Sequence, residues 1–191
     1  MDMSTLSRAD LESELLSPPA SSGPALRACD SESRYDTGPR QSDALARKLC
    51  VARELLLRDL RARMQAGPIM TAPQVVRDWL RLYCAGLEHE VFVVLYLTAQ
   101  HALIEAVQHF SGTLAQTSVY PREVVKGALA RNAAVVVFCH NHPSGHAEPS
   151  RADEFLTQTL KSALNMVDVR VLDHFVVAGD NVVSFAERGL V

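Results

Sequence analysis

The feature that most constrains this chain is a pair of histidines that directly follows a long apolar run. Residues 133–139 are apolar without interruption, which is typical of a strand buried on both faces. His140 and His142 follow at positions i and i+2, which point to the same face of a strand. Pro143 and Gly145 then end the strand and turn the chain. The pattern predicts that one strand delivers two imidazoles to a single point.

A hydroxyl and a carboxylate follow this pair after a short loop. Ser150 begins the next helical pattern, and Asp153 lies about one turn later on the same side. Two imidazoles and one carboxylate form a three-ligand metal set that leaves one coordination position open to water, as a catalytic zinc site requires. Ser150 also suits the helix N-cap, and Asp153 would favour the helix dipole without any metal. The N-cap role and a role for the hydroxyl in chemistry are compatible.

Composition is that of an ordinary globular protein. Of the 191 residues, 48% are hydrophobic, and the net charge of −3 provides no large basic field for non-specific nucleic-acid binding. The four cysteines form no C-x-x-C pair, which favours reduced thiols in a cytosol over disulfides. The acidic N-terminus lacks the apolar core of a signal peptide, and no apolar run approaches the roughly 20 residues that span a bilayer. We expect a soluble, cytoplasmic protein with no membrane partner.

Two segments precede the main pattern. Residues 1–42 are rich in Pro, Ser and Gly, which predicts a mostly disordered tail with at most a brief helical turn at Leu11, Leu15 and Leu16. Residues 43–66 predict a linker helix whose apolar stripe consists of Leu49, Ala52, Leu56 and Leu60. The opposite face of that helix is basic, which fits either a solvated surface or a contact with nucleic acid.

Residues 67–191 predict the main domain, in which helices alternate with strands and hairpins. Its first helix is predicted to begin at Thr71 as N-cap, with Gln74 closing a capping box, and to stop at Gly86. Further strands are predicted at 91–97, 102–107, 112–119, 169–172, 175–177 and 182–185, and further helices at 121–132 and 150–164. The mixture predicts an α+β fold with a central mixed β-sheet flanked by helices.

The spacing His-x-His-Pro, then Ser-x-x-Asp, resembles the signature of the JAMM zinc metallopeptidases, also called JAB or MPN proteins. The wording of residues 140–145 and 148–153 resembles the RadC subfamily in particular, as do residues 86–90, 120–123 and 173–177. The resemblance covers residues 67–191. It implies a JAB/MPN domain with a cytidine-deaminase-like fold, here with an N-terminal helical extension. Residues 1–66 contain no Gly-rich hairpins of the helix-hairpin-helix region that RadC-like chains often carry.

The resemblance also implies the site residues. One zinc ion per chain would be held by His140, His142 and Asp153, although manganese, iron or cobalt would accept the same ligands. A glutamate just before a buried strand is the general base in this family, and Glu90 matches that place, with Glu88 as the alternative. Ser150 would hydrogen-bond the developing oxyanion or the metal water. Either glutamate could instead be an ordinary surface carboxylate.

The implied activity is metal-assisted hydrolysis of a peptide or isopeptide bond in a peptide or protein substrate. The alternative is a non-catalytic or nucleic-acid-associated RadC-like protein of DNA repair or recombination, against which the complete ligand set argues. An HNH nuclease does not fit, because its three residues lie far apart in sequence. A zinc nucleobase deaminase does not fit, because it needs H-x-E and P-C-x-x-C. We expect His174 to be structural, bonding Asp173 or a neighbouring backbone group.

Overall fold

A computed structural model describes residues 3–18, 39–111 and 119–191, and the chain divides into two compact units between Asp59 and Leu60. Each unit is described by itself. The boundaries predicted after residues 42 and 66 remain predictions, and residues 1–2 and 19–38 of the predicted tail lie outside the described residues.

In the first unit, residues of the predicted tail form a helix. Helix α1 (Arg8–Leu16) is longer than the brief turn that its leucines predict. Ser7 explains the difference, because its side chain accepts a hydrogen bond from the backbone of Asp10, whose own side chain accepts one from the backbone of Ser7. This capping box satisfies amide groups that would otherwise lack partners at the start of the helix.

Helix α2 (Pro39–Ala66) extends the predicted linker helix by four residues at its start. The predicted apolar stripe is wrong within the first unit, because Leu49 and Leu56 are 62% and 54% exposed whereas Val51 is fully buried. Two residues turn a helix by about 200°, so the buried face lies nearly opposite Leu49. Part of the basic face is paired within the unit, since Arg58 donates to the carbonyl of Leu6 at 2.8 Å.

The second unit contains a mixed five-stranded sheet with helices packed around it. Its elements are α3 (Pro73–Cys84), β1 (Val91–Leu97), β2 (Leu103–Ser111), α4 (Pro121–Ala130), β3 (Val135–Asn141), α5 (Arg151–Asn165), β4 (Arg170–Ala178) and β5 (Asn181–Ser184). The strand order is β2-β1-β3-β4-β5; β3 and β4 are parallel and the other neighbours are antiparallel. The predicted α+β fold with a central mixed sheet is confirmed.

Strands β1 and β3 lie at the centre of the sheet, and every residue of both is buried. Each has a strand on both sides, and helices cover the sheet, so an unbroken apolar sequence is what these positions require. Phe92 pairs with His140 in the antiparallel register of the two strands. The core on the α4 and α5 face includes Phe92, Val94, Tyr96, Val136, Phe138, Leu160 and Leu164. The end of β3 is therefore fixed by β1 and β4 on its two sides and by the core residues packed against its face.

Several predicted elements differ in detail. Thr71 is not the N-cap of α3; it lies in the 3₁₀ helix Ile69–Thr71, and its hydroxyl donates to the carbonyl of Pro68 instead. The N-cap is Ala72, and the side chain of Gln74 donates to Asp78 rather than closing a capping box.

The observed boundaries of the hairpin and of two strands also differ from the predicted ones. β2 continues to Ser111, beyond its predicted end at residue 107. The two strands predicted at 169–172 and 175–177 are one continuous strand, β4. Residues 112–118 of the strand predicted at 112–119 lie outside the described residues. Among the helices that the structure describes, none has both the length and the apolar character needed to cross a membrane.

Candidate metal centre

The structure brings the three predicted metal ligands together. Nε2 of His140 lies 2.9 Å from Nε2 of His142 and 3.2 Å from Oδ1 of Asp153, and Nε2 of His142 lies 3.6 Å from Oδ2 of Asp153. Ligand atoms bound at about 2.0–2.1 Å around a tetrahedral zinc ion are about 3.3 Å apart. The donor set and its spacing therefore fit a metal ion.

The end of β3 positions the two imidazoles. The backbone N–H of His142 donates to the carbonyl of Val177 at 2.8 Å, so pairing with β4 continues to the second histidine. Gly145 then adopts a φ of +82°, which favours glycine, and its N–H donates to the carbonyl of His142. The strand pairing thus ends just after His142, whose side chain lies on the same face of the strand as that of His140.

Helix α5 positions the carboxylate. Ser150 is the N-cap of α5, and its N–H and hydroxyl donate to Oδ2 of Asp153 at 2.8 and 2.7 Å. The amide of Asp153 donates back to the hydroxyl oxygen at 3.2 Å. Oδ1 is left to face His140. The hydroxyl of Ser150 is thus engaged with a metal ligand, and its role towards an oxyanion remains a prediction.

The charges of the site reinforce one another. Burial by itself raises the pKa of Asp153, but hydrogen bonds with His140 and His142 hold it well below its usual range. The hydrogen bond with Asp153 raises the pKa of His142, and the charge of Glu90 contributes in the same direction. Asp153 therefore stays ionised beside the two imidazoles, and its negative charge complements a cation bound there.

Each imidazole is also held from behind. Nδ1 of His142 lies 2.7 Å from the carbonyl of His146, which can only accept, so this nitrogen carries a hydrogen. Nδ1 of His140 lies 2.8 Å from Nε2 of the buried His174. Metal-binding histidines are oriented in this way, with the second nitrogen bonded and the first presented to the ion.

Of the two candidate bases, Glu90 lies nearer the ligands. The antiparallel register that pairs Phe92 with His140 places residue 90 opposite His142 when it is continued by two further pairs. Glu90 is half-buried, whereas Glu88 is exposed. The position and the charge effect on His142 both favour Glu90.

Asn141 holds the backbone on both sides of Glu90. This buried side chain accepts a hydrogen bond from the N–H of Val91 at 2.7 Å and donates to the carbonyl of His89 at 3.0 Å. The amide stands between the two histidines in sequence but points away from the metal ligands, since neighbours on a strand face opposite sides. It thereby ties the start of β1 to the ligand-bearing end of β3.

The structure corrects the expectation for His174. Its ring does not bond Asp173, whose carboxylate accepts instead from the backbone N–H groups of His174 and Ala186 and from the hydroxyl of Ser184. The ring bonds His140 and the hydroxyl of Thr157. Sequence reasoning missed Thr157 and Asn141 altogether. For Thr157 a signal existed, because it lies at i+4 from Asp153 and so on the same helix face.

A mixed sheet whose central strand carries a His-x-His pair facing an aspartate on the next helix defines a JAB-type domain. The family model described as "RadC-like JAB domain" matches residues 70–190, and the chain belongs to this family. It is 60% identical over 153 residues to a "UPF0758 protein" of Leptothrix cholodnii, covering 80% of this chain and 67% of the relative. A "UPF0758 protein" of Chromobacterium violaceum is 52% identical over 155 residues, covering 81% and 69%.

Proposed function

We propose that this protein is a zinc-dependent metallohydrolase that cleaves amide bonds, as a peptidase or isopeptidase. The observation that supports this most strongly is the convergence of His140, His142 and Asp153, with ligand atoms no more than 4.8 Å apart. A set of three protein ligands leaves room for a water molecule or a substrate oxygen. Membership of a JAB family fits the same chemistry.

The residues around the ligands have complementary roles. A bound zinc ion supplies Lewis-acid polarisation and lowers the pKa of its water to about 7. Glu90, at the start of β1, accepts the proton of the attacking water on its carboxylate and passes it to the leaving amine. Asn141 keeps the backbone of Glu90 in place. Ser150, once its hydroxyl turns from Asp153, would donate to the oxyanion.

The test combines metal content with hydrolysis. Zinc per chain is measured by mass spectrometry after dialysis, and turnover is measured on a library of fluorogenic peptide amides and lysine-linked isopeptides. We expect about one zinc per chain and amide hydrolysis in the wild type, and neither in His142→Ala. Glu90→Gln should retain zinc and lose about 10²–10⁴-fold in turnover, whereas the matched variant Glu88→Gln should behave as the wild type.

The outcomes separate the parts of the proposal. Turnover that persists in Glu90→Gln but falls in Glu88→Gln would transfer the base to Glu88. A wild-type protein that takes up no zinc when zinc is supplied would contradict the metal assignment. Zinc binding without hydrolysis, together with a salt-dependent affinity for DNA, would favour the non-catalytic alternative.

A further inference from the structure

We propose that Thr157 and His174 are positioning residues that fix a proton on Nδ1 of His140, so that the neutral ring presents its Nε2 lone pair to a metal. The inference rests on the proposed function only in assuming that the site binds a metal. It concerns four groups joined in a hydrogen-bonded relay: the Asp153 carbonyl, the Thr157 hydroxyl, and the rings of His174 and His140.

The direction of the relay follows from its first bond. The hydroxyl oxygen of Thr157 lies 2.6 Å from the main-chain carbonyl oxygen of Asp153, four residues earlier in α5. Two oxygens this close repel each other unless a hydrogen lies between them, and a carbonyl can only accept. The single hydrogen of the Thr157 hydroxyl therefore points to Asp153.

The second bond transmits this direction to His174. The Thr157 oxygen also lies 2.6 Å from Nδ1 of His174, and its hydrogen is already engaged, so Nδ1 must donate. His174 is fully buried, with the rings of Phe92, Phe138 and Phe185 centred 4.7–5.7 Å from its own. A ring in such apolar surroundings is neutral, since burial disfavours its charged form. With the proton on Nδ1, its Nε2 carries a lone pair.

The third bond completes the relay at the metal ligand. Nε2 of His174 lies 2.8 Å from Nδ1 of His140 and can only accept, so Nδ1 of His140 must carry a hydrogen. Nε2 of His140 faces His142 and Asp153. Because Nδ1 already carries a hydrogen, Nε2 is the nitrogen that offers its lone pair when an ion binds. The opposite tautomer would place a hydrogen where the ion must bind. The relay also joins two ligands, since it begins on the main chain of Asp153 and ends on the side chain of His140.

The first experiment reads the tautomers directly. Imidazole nitrogen chemical shifts of the metal-free protein, labelled with ¹⁵N-histidine and held at pH 8, distinguish protonated from unprotonated ring nitrogens. We expect His140 and His174 to be protonated at Nδ1 in the wild type. Thr157→Val removes the group that sets the direction, so His140 should become a mixture of tautomers, whereas Thr157→Ser should restore the wild-type pattern.

The second experiment measures zinc affinity by competition with a chromophoric chelator. Loss of a partner behind a metal ligand typically weakens affinity about 10–100-fold, and we expect Thr157→Val to fall in this range with Thr157→Ser close to the wild type. Thr159→Val is the matched control. Thr159 makes the same kind of hydroxyl-to-carbonyl bond in α5, to Phe155 at 2.8 Å, but has no place in the relay.

Each outcome is informative. A wild-type His140 without a hydrogen on Nδ1, or a Thr157→Val variant with unchanged tautomers and unchanged zinc affinity, would overturn the proposal. An equal loss of zinc affinity in Thr159→Val would also overturn it, because it would show a general effect of α5. The nitrogen shifts are measured without metal or substrate. A protein that fails to bind zinc or to hydrolyse amides would therefore contradict the proposed function without deciding the tautomers.

Discussion

Two histidine networks can be compared among the described residues of the second unit, one half-buried around His109 and one buried around His174, and only the second resembles a reactive site. In the tyrosine cluster, defined by Tyr96, His109 and Arg131, the polar ends meet partners of this chain. Tyr96 and His109 share a hydrogen bond, and Arg131 lies over the tyrosine ring and pairs with Glu105. In the relay, by contrast, the last nitrogen of His140 faces another imidazole nitrogen and a carboxylate.

The comparison shows which property distinguishes a candidate reactive site from a purely structural group of polar side chains. Burial is the largest cause that lowers the pKa of both His109 and His174, so neither burial nor a shifted pKa separates the two networks. What separates them is the balance of donors and acceptors. The tyrosine cluster is satisfied by its own groups, whereas the relay ends at three converging ligand atoms that could hold a metal ion. A substitution in one network should therefore leave the properties of the other unchanged.

Asp153→Asn should abolish zinc retention. The change removes the negative ligand but keeps the size of the side chain, so the loss should exceed the about 10–100-fold typical of residues behind a ligand. Zinc content after dialysis against a chelator measures the effect. Glu105→Gln, an equivalent change in the partner of Arg131, should retain zinc. Equal zinc content in the two variants would show that the carboxylate of Asp153 is not a ligand.

Asn141→Ala should destabilise the protein without removing a ligand. Its side chain satisfies the backbone of His89 and Val91, and leaving one buried and one half-buried backbone group without partners costs about 2–4 kcal/mol. Urea unfolding of the metal-free protein gives the stability. If the protein hydrolyses amides as proposed, turnover should also fall while zinc remains bound, because the backbone of Glu90 is no longer held. Wild-type stability in this variant would contradict the two hydrogen bonds.

The sequence predicts the site better than its surroundings, for a physical reason. The ligands lie in one short stretch whose spacing follows the geometry of a strand and of a helix start, so local rules suffice for His140, His142 and Asp153. The relay forms only because β4 pairs with β3 and packs against α5. No local pattern in residues 170–178 encodes this tertiary arrangement. His174 therefore looks like an isolated histidine in sequence.

The same reason explains the split prediction for β4. Asp173 and His174 interrupt an apolar pattern, which indicates a loop when only neighbours in sequence are considered. In the fold, Ser184 and the backbone of Ala186 satisfy the carboxylate of Asp173, so the strand continues through both polar residues. The uninterrupted runs of β1 and β3 contain no such conflict, and their positions were predicted to within two residues.

Gly127→Ala should disturb the tyrosine cluster alone. A Cβ at this position would overlap the Tyr96 hydroxyl, so the Tyr96–His109 pair must move. Overpacking of this kind costs about 1–3 kcal/mol, from which the better helix propensity of alanine subtracts about 1 kcal/mol. Urea unfolding measures the net loss. The control Gly67→Ala meets no atom within 4 Å and should be nearly neutral. Zinc affinity should be unchanged in both.

The smallest expected effect is a pH dependence that belongs to His109. Burial, followed by the charge of Arg131, lowers its pKa from the ordinary value of 6.5, and Glu123 only partly opposes this. Below pH 6.5 the unfolded chain therefore binds a proton that the folded chain refuses, so stability falls as the pH decreases and levels off below the folded pKa. His174 imposes a loss of the same sign in every variant that keeps it, because its pKa is also lowered.

His109→Gln isolates the contribution of the tyrosine cluster from that of the relay. The variant keeps a hydrogen-bonding group beside Tyr96 but does not titrate, so its stability should fall less steeply than that of the wild type between pH 7.5 and pH 5.5 by roughly the contribution of one histidine. Urea unfolding of the metal-free proteins across this range measures both curves. Parallel curves would mean that His109 titrates equally in the folded and unfolded chains, and that the acid sensitivity arises in the relay. If instead the stability of the variant does not change with pH, the acid sensitivity of the wild type arises at His109. The histidines of the metal centre would then balance one another, because the raised pKa of His142 opposes the lowered pKa of His174.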